Sequence, residues 1–234
     1  MSKNEDILNL PTHLGLILDG NRRWAQEHGI PTLEGHKKGY QRLKKIAEAA
    51  FEKGIKYVSA YVFSVENWNR SKEEVSYLMN LLLWVSKVET KKLAKKNIKV
   101  VFSGSKKGLS DEILKAMDDA EKRTTNNDGG TLVLCLNYGG KQEIADAVKN
   151  IIKDGVDSEE ITPELISKYL YEPNIPDVDL IIRTSGEQRL SGFQLWESAY
   201  SELKFVKKHW PAFNLHDLDK ALLDYSNRQR RFGA

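Results

Sequence analysis

The sequence contains one cysteine and no hydrophobic run of membrane-spanning length. Cys135 lies in an apolar segment, excludes an intramolecular disulfide and favours a reducing compartment. No segment approaches the ~20 consecutive apolar residues that cross a bilayer, and the N-terminus lacks the apolar core of a signal peptide. We therefore expect a cytoplasmic protein, which leaves open a peripheral membrane contact.

The chain also has little net charge and no linker-like composition. Its 36 Lys and Arg exceed its 33 Asp and Glu by only three charges, too few to predict a nucleic-acid partner through bulk charge. No Pro-, Gly- or Ser-rich segment and no internal repeat divides the 234 residues. This composition predicts a single domain at 13–234, preceded by a short lead at 1–12.

Apolar strand-like segments alternate with amphipathic helix-like segments along the whole chain. Strands are predicted at 14–18, 55–63, 98–102, 132–136, 178–182 and 203–206. Helices are predicted at 40–53, 72–96, 110–123 and 141–153, briefly after 163, and from 215 onward. Because strands joined through helices form parallel crossovers, we expect an α/β fold with a central, mainly parallel six-stranded sheet flanked by helices.

The first predicted strand ends in a carboxylate, a glycine and two arginines. Asp19 should lie at the carboxyl edge of the sheet, where ligands bind in open α/β folds. Gly20 permits a tight turn, and Arg22 and Arg23 suit an anion with several oxygens. A carboxylate among such groups indicates a bridging cation such as Mg²⁺. The alternative for this segment alone is an ordinary Asp-Gly turn before a basic, solvated helix.

Further polar clusters follow other predicted strands. Residues 63–70, FSVENWNR, and 182–193, IRTSGEQRLSGF, combine hydroxyl, amide and guanidinium groups on short loops. The second resembles a polyanion cradle because guanidinium forks match phosphate oxygens, whereas Ser64 and Asn67 are equally typical of turn caps. The acid at the end of 196–202 is either a surface group or part of a cation site. Residues 78–85 are apolar on nearly all sides and predict either core packing or the wall of an apolar channel.

Together these motifs resemble the cis-prenyltransferases, the undecaprenyl diphosphate synthase family. The matching segments run in order from His13 to Gly233: DGNRRWA, GHKKGY, FSVENWNR, NYGG, RTSGEQRLSGFQLWESAYSEL and RRFG. The resemblance implies a homodimeric α/β enzyme that condenses isopentenyl diphosphate with an allylic diphosphate in the presence of Mg²⁺, forming each new double bond in cis. It also implies that the C-terminal Arg231, Phe232 and Gly233 reach the partner subunit's site.

The resemblance assigns roles residue by residue. The allylic diphosphate site corresponds to Gly20, Asn21, Arg22, Arg23, Trp24 and His36. A second motif that binds substrate corresponds to Ser64, Val65, Glu66, Asn67, Trp68 and Arg70. The isopentenyl diphosphate site corresponds to Arg183, Arg189, Leu190 and Ser191, and the metal site to Asp19 and Glu202. Asp19 and Asn67 are the catalytic positions. Because a neutral amide is a very weak base, the proton acceptor is either Asn67 or the departing diphosphate.

Three positions depart from the family pattern, and two alternatives for the product remain. Arg22 replaces a usual glycine and Thr32 a usual arginine, so that the first could compensate for the second, and Gln188 stands where some members have a histidine. Val62 and Leu136 occupy positions where long-chain relatives usually have alanine, which favours a short or medium product over an undecaprenyl or decaprenyl chain. The alternative from another class is a non-catalytic phospholipid- or RNA-binding module.

Overall fold

The computed structural model describes residues 9–228, which include one six-stranded sheet. Its strands are β1 (His13–Ile17), β2 (Tyr57–Ser64), β3 (Lys99–Ser103), β4 (Thr131–Tyr138), β5 (Leu180–Arg183) and β6 (Glu202–Phe205). Their order is β3-β4-β2-β1-β5-β6, and each neighbouring pair is parallel. The predicted six-stranded parallel sheet is confirmed. All of these strands therefore direct their carboxyl ends to one edge, where ligands bind in such folds.

Helices connect and cover the strands. They are α1 (Asn21–Glu27), α2 (Thr32–Glu52), α3 (Lys72–Trp84), α4 (Thr90–Lys95), α5 (Asp111–Thr124), α6 (Gly140–Lys153), α7 (Pro163–Lys168) and α8 (Leu215–Ser226). Short 3₁₀ turns occupy Val65–Asn69, Ser158–Glu160 and Trp210–Ala212. Across residues 9–228, each helix is too short or too polar to span a membrane.

The two faces of the sheet bury cores of different size. Along β1, Leu14 and Leu16 belong to the larger cluster, whereas Ile17 belongs to the smaller one. The same alternation continues on β4, where Leu134 faces the large core and Cys135 the small one. This is the two-residue period of a strand buried on both faces. The larger cluster also includes buried side chains of α2, α3, α5 and α8.

Helix α2 begins eight residues earlier than the predicted residue 40 and includes the whole GHKKG segment. The prediction was wrong because glycines usually interrupt helices. Here they permit contact with α1: a Cβ on Gly35 would lie 2.4 Å from the Asn21 carbonyl oxygen, and one on Gly39 would lie 2.3 Å from Asn21 Oδ1. His36 therefore projects from a helix rather than from a loop.

The helix predicted over 72–96 is interrupted by a π turn at Val85–Glu89. Such a turn inserts an extra residue and changes which side chains face inward. Its last residue, Glu89, is buried and accepts hydrogen bonds from Lys44 at 2.8 Å and Lys92 at 2.5 Å. The hydrophobic pattern alone did not reveal this interruption, since both flanking segments remain helical.

Candidate active site

A cavity of about 430 Å³ opens at the carboxyl edge of the sheet, beside β1 and β2. This volume lies in the ~300–1,000 Å³ range of pockets for small organic ligands. Its polar wall consists of Asp19, Gly20, Asn21, Arg22, Arg23, Gln26, His36, Asn67 and Arg70. Its apolar wall includes Leu18, Tyr40, Leu43, Val62, Phe63, Leu78, Met79, Leu81, Leu82, Val85, Leu134 and Leu136. The cavity is thus suited to a ligand with an anionic head and a hydrocarbon body.

Asp19 lies between two arginines at the polar end of this cavity. Its Oδ1 accepts a hydrogen bond from Arg23 Nη2 at 3.0 Å, and its Oδ2 accepts one from Arg183 Nη2 at 3.0 Å. Arg183 ends β5, is only 4% exposed, and pairs in register with Ile17 of β1. Two guanidinium groups share one carboxylate, so the group as a whole keeps a positive charge that favours an anion.

Gly20 makes the turn between Asp19 and α1. Its φ of 102° lies in the left-handed region, and a Cβ there would stand 2.4 Å from Ser185 Oγ and 2.6 Å from His209 Nδ1. Only glycine fits this turn without displacing those side chains. The first N–H groups of α1, which begins directly after this turn, have no acceptor within the helix. Trp24, by contrast, stacks on His28 with ring centroids 4.2 Å apart and is not part of the cavity wall.

A buried glutamate, Glu74, joins three other side chains of the site. Its Oε1 is 3.0 Å from His36 Nε2 and 2.8 Å from Arg70 Nη1, and its Oε2 is 3.6 Å from Arg22 Nη1. Burial lowers the pKa of His36 below 6.5, and the smaller, opposing effect of Glu74 does not reverse that shift. His36 is therefore neutral at pH 7, and its Nε2–H donates to the glutamate.

The motif after β2 forms a 3₁₀ turn that divides its residues between two environments. The backbone N–H of Ser64 donates to Asn67 Oδ1 at 3.2 Å, so that Asn67 both caps the turn and lines the cavity. Trp68 Nε1 donates to Asn137 Oδ1 at 2.7 Å. Four of the motif's candidate residues lie outside the cavity wall: Ser64, Val65, Glu66 and Trp68.

The loop after β5 is built around Arg183. Its Nη1 donates to the Arg189 carbonyl oxygen at 2.5 Å and to Ser191 Oγ at 2.8 Å. Ser185 and Ser191 have φ values of 78° and 51°, a conformation that non-glycine residues adopt rarely and that the surrounding contacts must hold. One guanidinium therefore links this loop to the carboxylate of Asp19.

Glu187 completes a network of charges across the same loop. It pairs with Arg189 at 2.6 Å and with Arg23 at 3.2 Å. Arg189 is largely exposed, whereas Leu190 packs against the smaller core cluster. The predicted isopentenyl diphosphate residues thus lie together beside the cavity, although none of them is part of its wall.

Glu202 lies apart from Asp19 within the chain. It starts β6 and pairs in register with Leu180 at the beginning of β5, three residues before Arg183. Three strand residues span roughly 10 Å. Glu202 is instead an ion-pair partner of Arg228. Because the strands are parallel, Asp19 and Glu202 of one subunit lie at opposite ends of them. The expectation that both residues belong to the metal site stays a prediction.

Among the described residues, Asp19 is the carboxylate that lines the cavity at this edge. Within residues 9–228, His, Cys, Asp and Glu side chains form no group of three that could hold a metal ion. Mg²⁺ does not need such a cage, since it usually retains waters and binds one or two carboxylates together with substrate phosphates. A single carboxylate beside four cavity-facing or neighbouring guanidinium groups fits that kind of binding.

Two residues of this network were missed by the sequence analysis, Glu74 and Glu187. Ser71 followed by Glu74 has the spacing of a helix cap, and the backbone N–H of Glu74 does donate to Ser71 Oγ at 3.2 Å. That interpretation accounts for the backbone only. The side chain's role depends on three residues 4, 38 and 52 positions away in sequence (Arg70, His36 and Arg22), which only the folded chain brings together.

Comparisons with known proteins show the family to which the chain belongs. A family profile described as "Putative undecaprenyl diphosphate synthase" matches residues 17–233. The isoprenyl transferase of Thermotoga maritima is 46% identical over 228 residues, which are 97% of this chain and 98% of that protein. The (2E,6E)-farnesyl-diphosphate-specific ditrans,polycis-undecaprenyl-diphosphate synthase of Micrococcus luteus is 42% identical over 99% of this chain and 95% of its own length.

Solved structures show the same likeness. The lavandulyl diphosphate synthase of Lavandula x intermedia, in complex with dimethylallyl diphosphate, superposes with a TM-score of 0.92 and 33% identity, covering 96% of this chain and 99% of that one. A probable undecaprenyl diphosphate synthase of Campylobacter jejuni gives a TM-score of 0.82 and 28% identity, covering 97% of this chain and 100% of its own.

Proposed function

Because the chain belongs to the undecaprenyl diphosphate synthase family of prenyl transferases, we propose that it condenses isopentenyl diphosphate with an allylic prenyl diphosphate, with the new double bond in cis. The observation that carries this proposal is a cavity whose wall combines guanidinium groups with aliphatic side chains. Such a cavity matches an allylic diphosphate, whose head is anionic and whose tail is hydrocarbon.

The two diphosphates bind on either side of Asp19. Arg22, Arg23 and the first N–H groups of α1 hold the allylic diphosphate. Arg183, Arg189 and Ser191 hold isopentenyl diphosphate. Arg183 contacts both Asp19 and Ser191, so it connects the allylic diphosphate site to the isopentenyl diphosphate site. The reacting carbons of the two substrates are thereby held near each other.

The reaction begins when the allylic C–O bond breaks, leaving an allylic cation and a diphosphate. The double bond of isopentenyl diphosphate attacks that cation with its terminal carbon, and a proton then leaves its C2. The guanidinium groups stabilise the departing diphosphate as its charge develops. The apolar wall excludes water, which would otherwise capture the cation.

Asn67 and His36 contribute by position rather than by basicity. Asn67 Oδ1 already accepts the backbone N–H of Ser64, and an amide is a very weak base. His36 is neutral but commits its Nε2–H to Glu74. The diphosphate is therefore the proposed acceptor of the C2 proton.

Mg²⁺ is the proposed cofactor, held by Asp19 together with diphosphate oxygens. When bound it neutralises part of the charge on the leaving group. Without such a cation, Asp19 would repel the substrate that its neighbouring arginines attract. Glu202 joins this site only if another subunit supplies it, and the proposed assembly is a homodimer. The predicted C-terminal contributors, Arg231 to Gly233, lie outside the described residues.

The product is proposed to be short or medium in length. Val62 and Leu136 both line the cavity, next to Leu134 and Phe63. Each carries more carbons than alanine, and close-packed walls leave little slack for a longer chain. The alternative is an undecaprenyl or decaprenyl product, as the name of the Micrococcus luteus relative describes for that protein.

A peripheral membrane contact for product release is proposed at the exposed side of the π turn. Trp84 and Val88 are 43% and 40% exposed there, and residues 84–96 contain five lysines and one glutamate. Within residues 9–228, Lys91 and Lys95 have no carboxylate partner. Aromatic and basic side chains together suit an anionic lipid surface. Binding to phosphatidylglycerol vesicles should weaken in Lys91→Glu/Lys95→Glu but not in Lys141→Glu/Lys153→Glu on α6.

The proposed reaction is tested by incubating the protein with labelled isopentenyl diphosphate, Mg²⁺ and primers of increasing length, followed by chromatography of the extracted products. Label in a prenyl product that requires both the primer and Mg²⁺ supports the reaction. A protein that binds phospholipid or RNA but yields no product with any primer would instead be the non-catalytic module.

A further inference from the structure

The carboxylate of Glu74 does not line the cavity, although three of its neighbouring side chains do. Its side chain is 8% exposed, and its carboxylate oxygens face His36, Arg70 and Arg22. These neighbours belong to the cavity wall, and Glu74 does not. The glutamate therefore stands behind the groups that would meet a substrate.

The three neighbours come from three different elements. Arg22 lies in the first turn of α1, His36 lies in α2, and Arg70 follows the 3₁₀ turn after β2. Glu74 itself lies in the first turn of α3. One carboxylate thus links four chain segments around the polar residues of the cavity.

The side chain of Glu74 does not take part in capping α3. The cap of α3 uses the backbone N–H of Glu74 and the hydroxyl of Ser71, and substitution of the side chain leaves that bond in place. A buried carboxylate is costly to maintain unless its partners compensate it. An apolar residue at this position would pack in the core at a lower cost. The ion pairs of Glu74 therefore indicate a role in the site.

The three contacts are unequal in a way that suits an incoming anion. Arg70 Nη1 and His36 Nε2 are within hydrogen-bond distance of Oε1. Arg22 Nη1 is 3.6 Å from Oε2, and its side chain is 55% exposed. Arg22 is attracted to Glu74 but not hydrogen-bonded, which leaves its guanidinium able to turn toward a diphosphate at little cost.

We propose that Glu74 is a positioning residue for the allylic diphosphate: it holds Arg70 and His36 in place and keeps Arg22 near the cavity until the diphosphate binds. This inference rests on the proposed function. The inference concerns the allylic diphosphate site only. In the predicted isopentenyl diphosphate site, Arg183 contacts Asp19 and Ser191 of its own loop.

The test compares Glu74→Gln with Glu73→Gln, its exposed neighbour on the same turn. Both changes remove one negative charge, so a general electrostatic effect would appear in both. Residues that orient metal ligands from behind typically contribute ~10–100-fold to affinity or activity, and we take this range as the scale for Glu74. We expect a rise of that size in KM for the allylic diphosphate in Glu74→Gln, with KM for isopentenyl diphosphate within about twofold of wild type, and no change in Glu73→Gln. An unchanged allylic KM, or equal rises for both substrates, would overturn the assignment.

Two further measurements exclude a merely structural role. Glu74→Asp retains the charge on a shorter side chain and replaces Glu74→Gln in the test if Glu74→Gln does not fold. It should show the same selective rise in KM for the allylic diphosphate, to a smaller extent. Combining Glu74→Gln with Arg70→Gln should raise the allylic KM by less than the product of the single effects, because both changes break the same contact. Strictly multiplicative effects would contradict the proposal.

Binding of inorganic diphosphate separates this inference from the proposed reaction. If the wild-type protein transfers no prenyl group, the proposed function fails, yet calorimetry with inorganic diphosphate still compares wild type with Glu74→Gln. Weaker binding by Glu74→Gln alone supports the positioning role, and equal binding by wild type, Glu74→Gln and Glu73→Gln rejects it.

Discussion

Arg183 Nη2 donates to Asp19 Oδ2 at 3.0 Å across the neighbouring strands β1 and β5. The pair connects the two loops that the resemblance assigns to two different substrates. Arg183 is 4% exposed and is held by its hydrogen bonds, whereas Asp19 lines the cavity. The pair is therefore the centre of the proposed active site.

Asp19→Asn should abolish most turnover because it keeps the shape of the side chain and removes the charge that would bind Mg²⁺. Loss of one such stabilising group commonly lowers kcat by ~100–1,000-fold. Turnover is measured with saturating primer and Mg²⁺, and circular dichroism checks the fold. Near-wild-type turnover by the folded variant would remove Asp19 from the mechanism.

Val62→Ala combined with Leu136→Ala should lengthen the products. Both side chains line the cavity beside Leu134, and their truncation removes methyl groups from its wall, leaving space that a hydrocarbon chain can fill. Reversed-phase chromatography of dephosphorylated products gives the chain lengths. Wild-type products of ten or more isoprene units, or no lengthening in the double variant, would contradict the short or medium product.

Deletion of Arg230 to Ala234 should weaken isopentenyl diphosphate binding more than it lowers stability, if the C-terminus completes a neighbouring subunit's site. These residues lie outside the described ones. Mixing this truncated protein with Asp19→Ala protein under subunit exchange should restore part of the activity, since each mixed dimer then has one intact site. Mixed dimers without any recovered activity would remove the main support for the cross-subunit arrangement.

Glu172 should make the protein less stable as the pH rises. Burial, with smaller effects from the nearby Glu121 and Glu143, raises the pKa of Glu172 from 4.5 to about 7. Between these values the Glu172 carboxyl binds more protons in the folded state than in the unfolded state. Its contribution to the free energy of unfolding is therefore fully present below pH 4.5 and is lost as the pH rises through 7.

Thermal unfolding from pH 4.5 to 8 measures this effect. Glu172→Gln cannot lose that proton, so its Tm should fall less over this range than the wild-type Tm. In a chain of this size, ~1 kcal/mol corresponds to roughly 2–4 °C. Glu52→Gln, at an exposed position on α2, is the control and should follow wild type; parallel curves for all three proteins would contradict the raised pKa.

The order of elements and the parallel sheet were predictable because they depend on local patterns. The apolar runs that form β1 and β4 and the polar loops that follow the strands are encoded in adjacent residues. The boundaries of α2 were not predictable in this way. Gly35 and Gly39 are helix-breaking by composition, and only the approach of Asn21 to within 2.4 Å of a would-be Cβ explains why they belong in the helix.

The sequence by itself determined the parallel α/β architecture, the family and the residue types around the cavity, because strand period and ordered motifs are properties of neighbouring positions. The tertiary structure alone decided which of those residues meet. It joined Asp19 to Arg183 across 164 positions, gathered Arg22, His36 and Arg70 around Glu74, and kept Glu202 at the opposite end of the strands. Such contacts depend on strand order, register and helix packing, which no local pattern specifies.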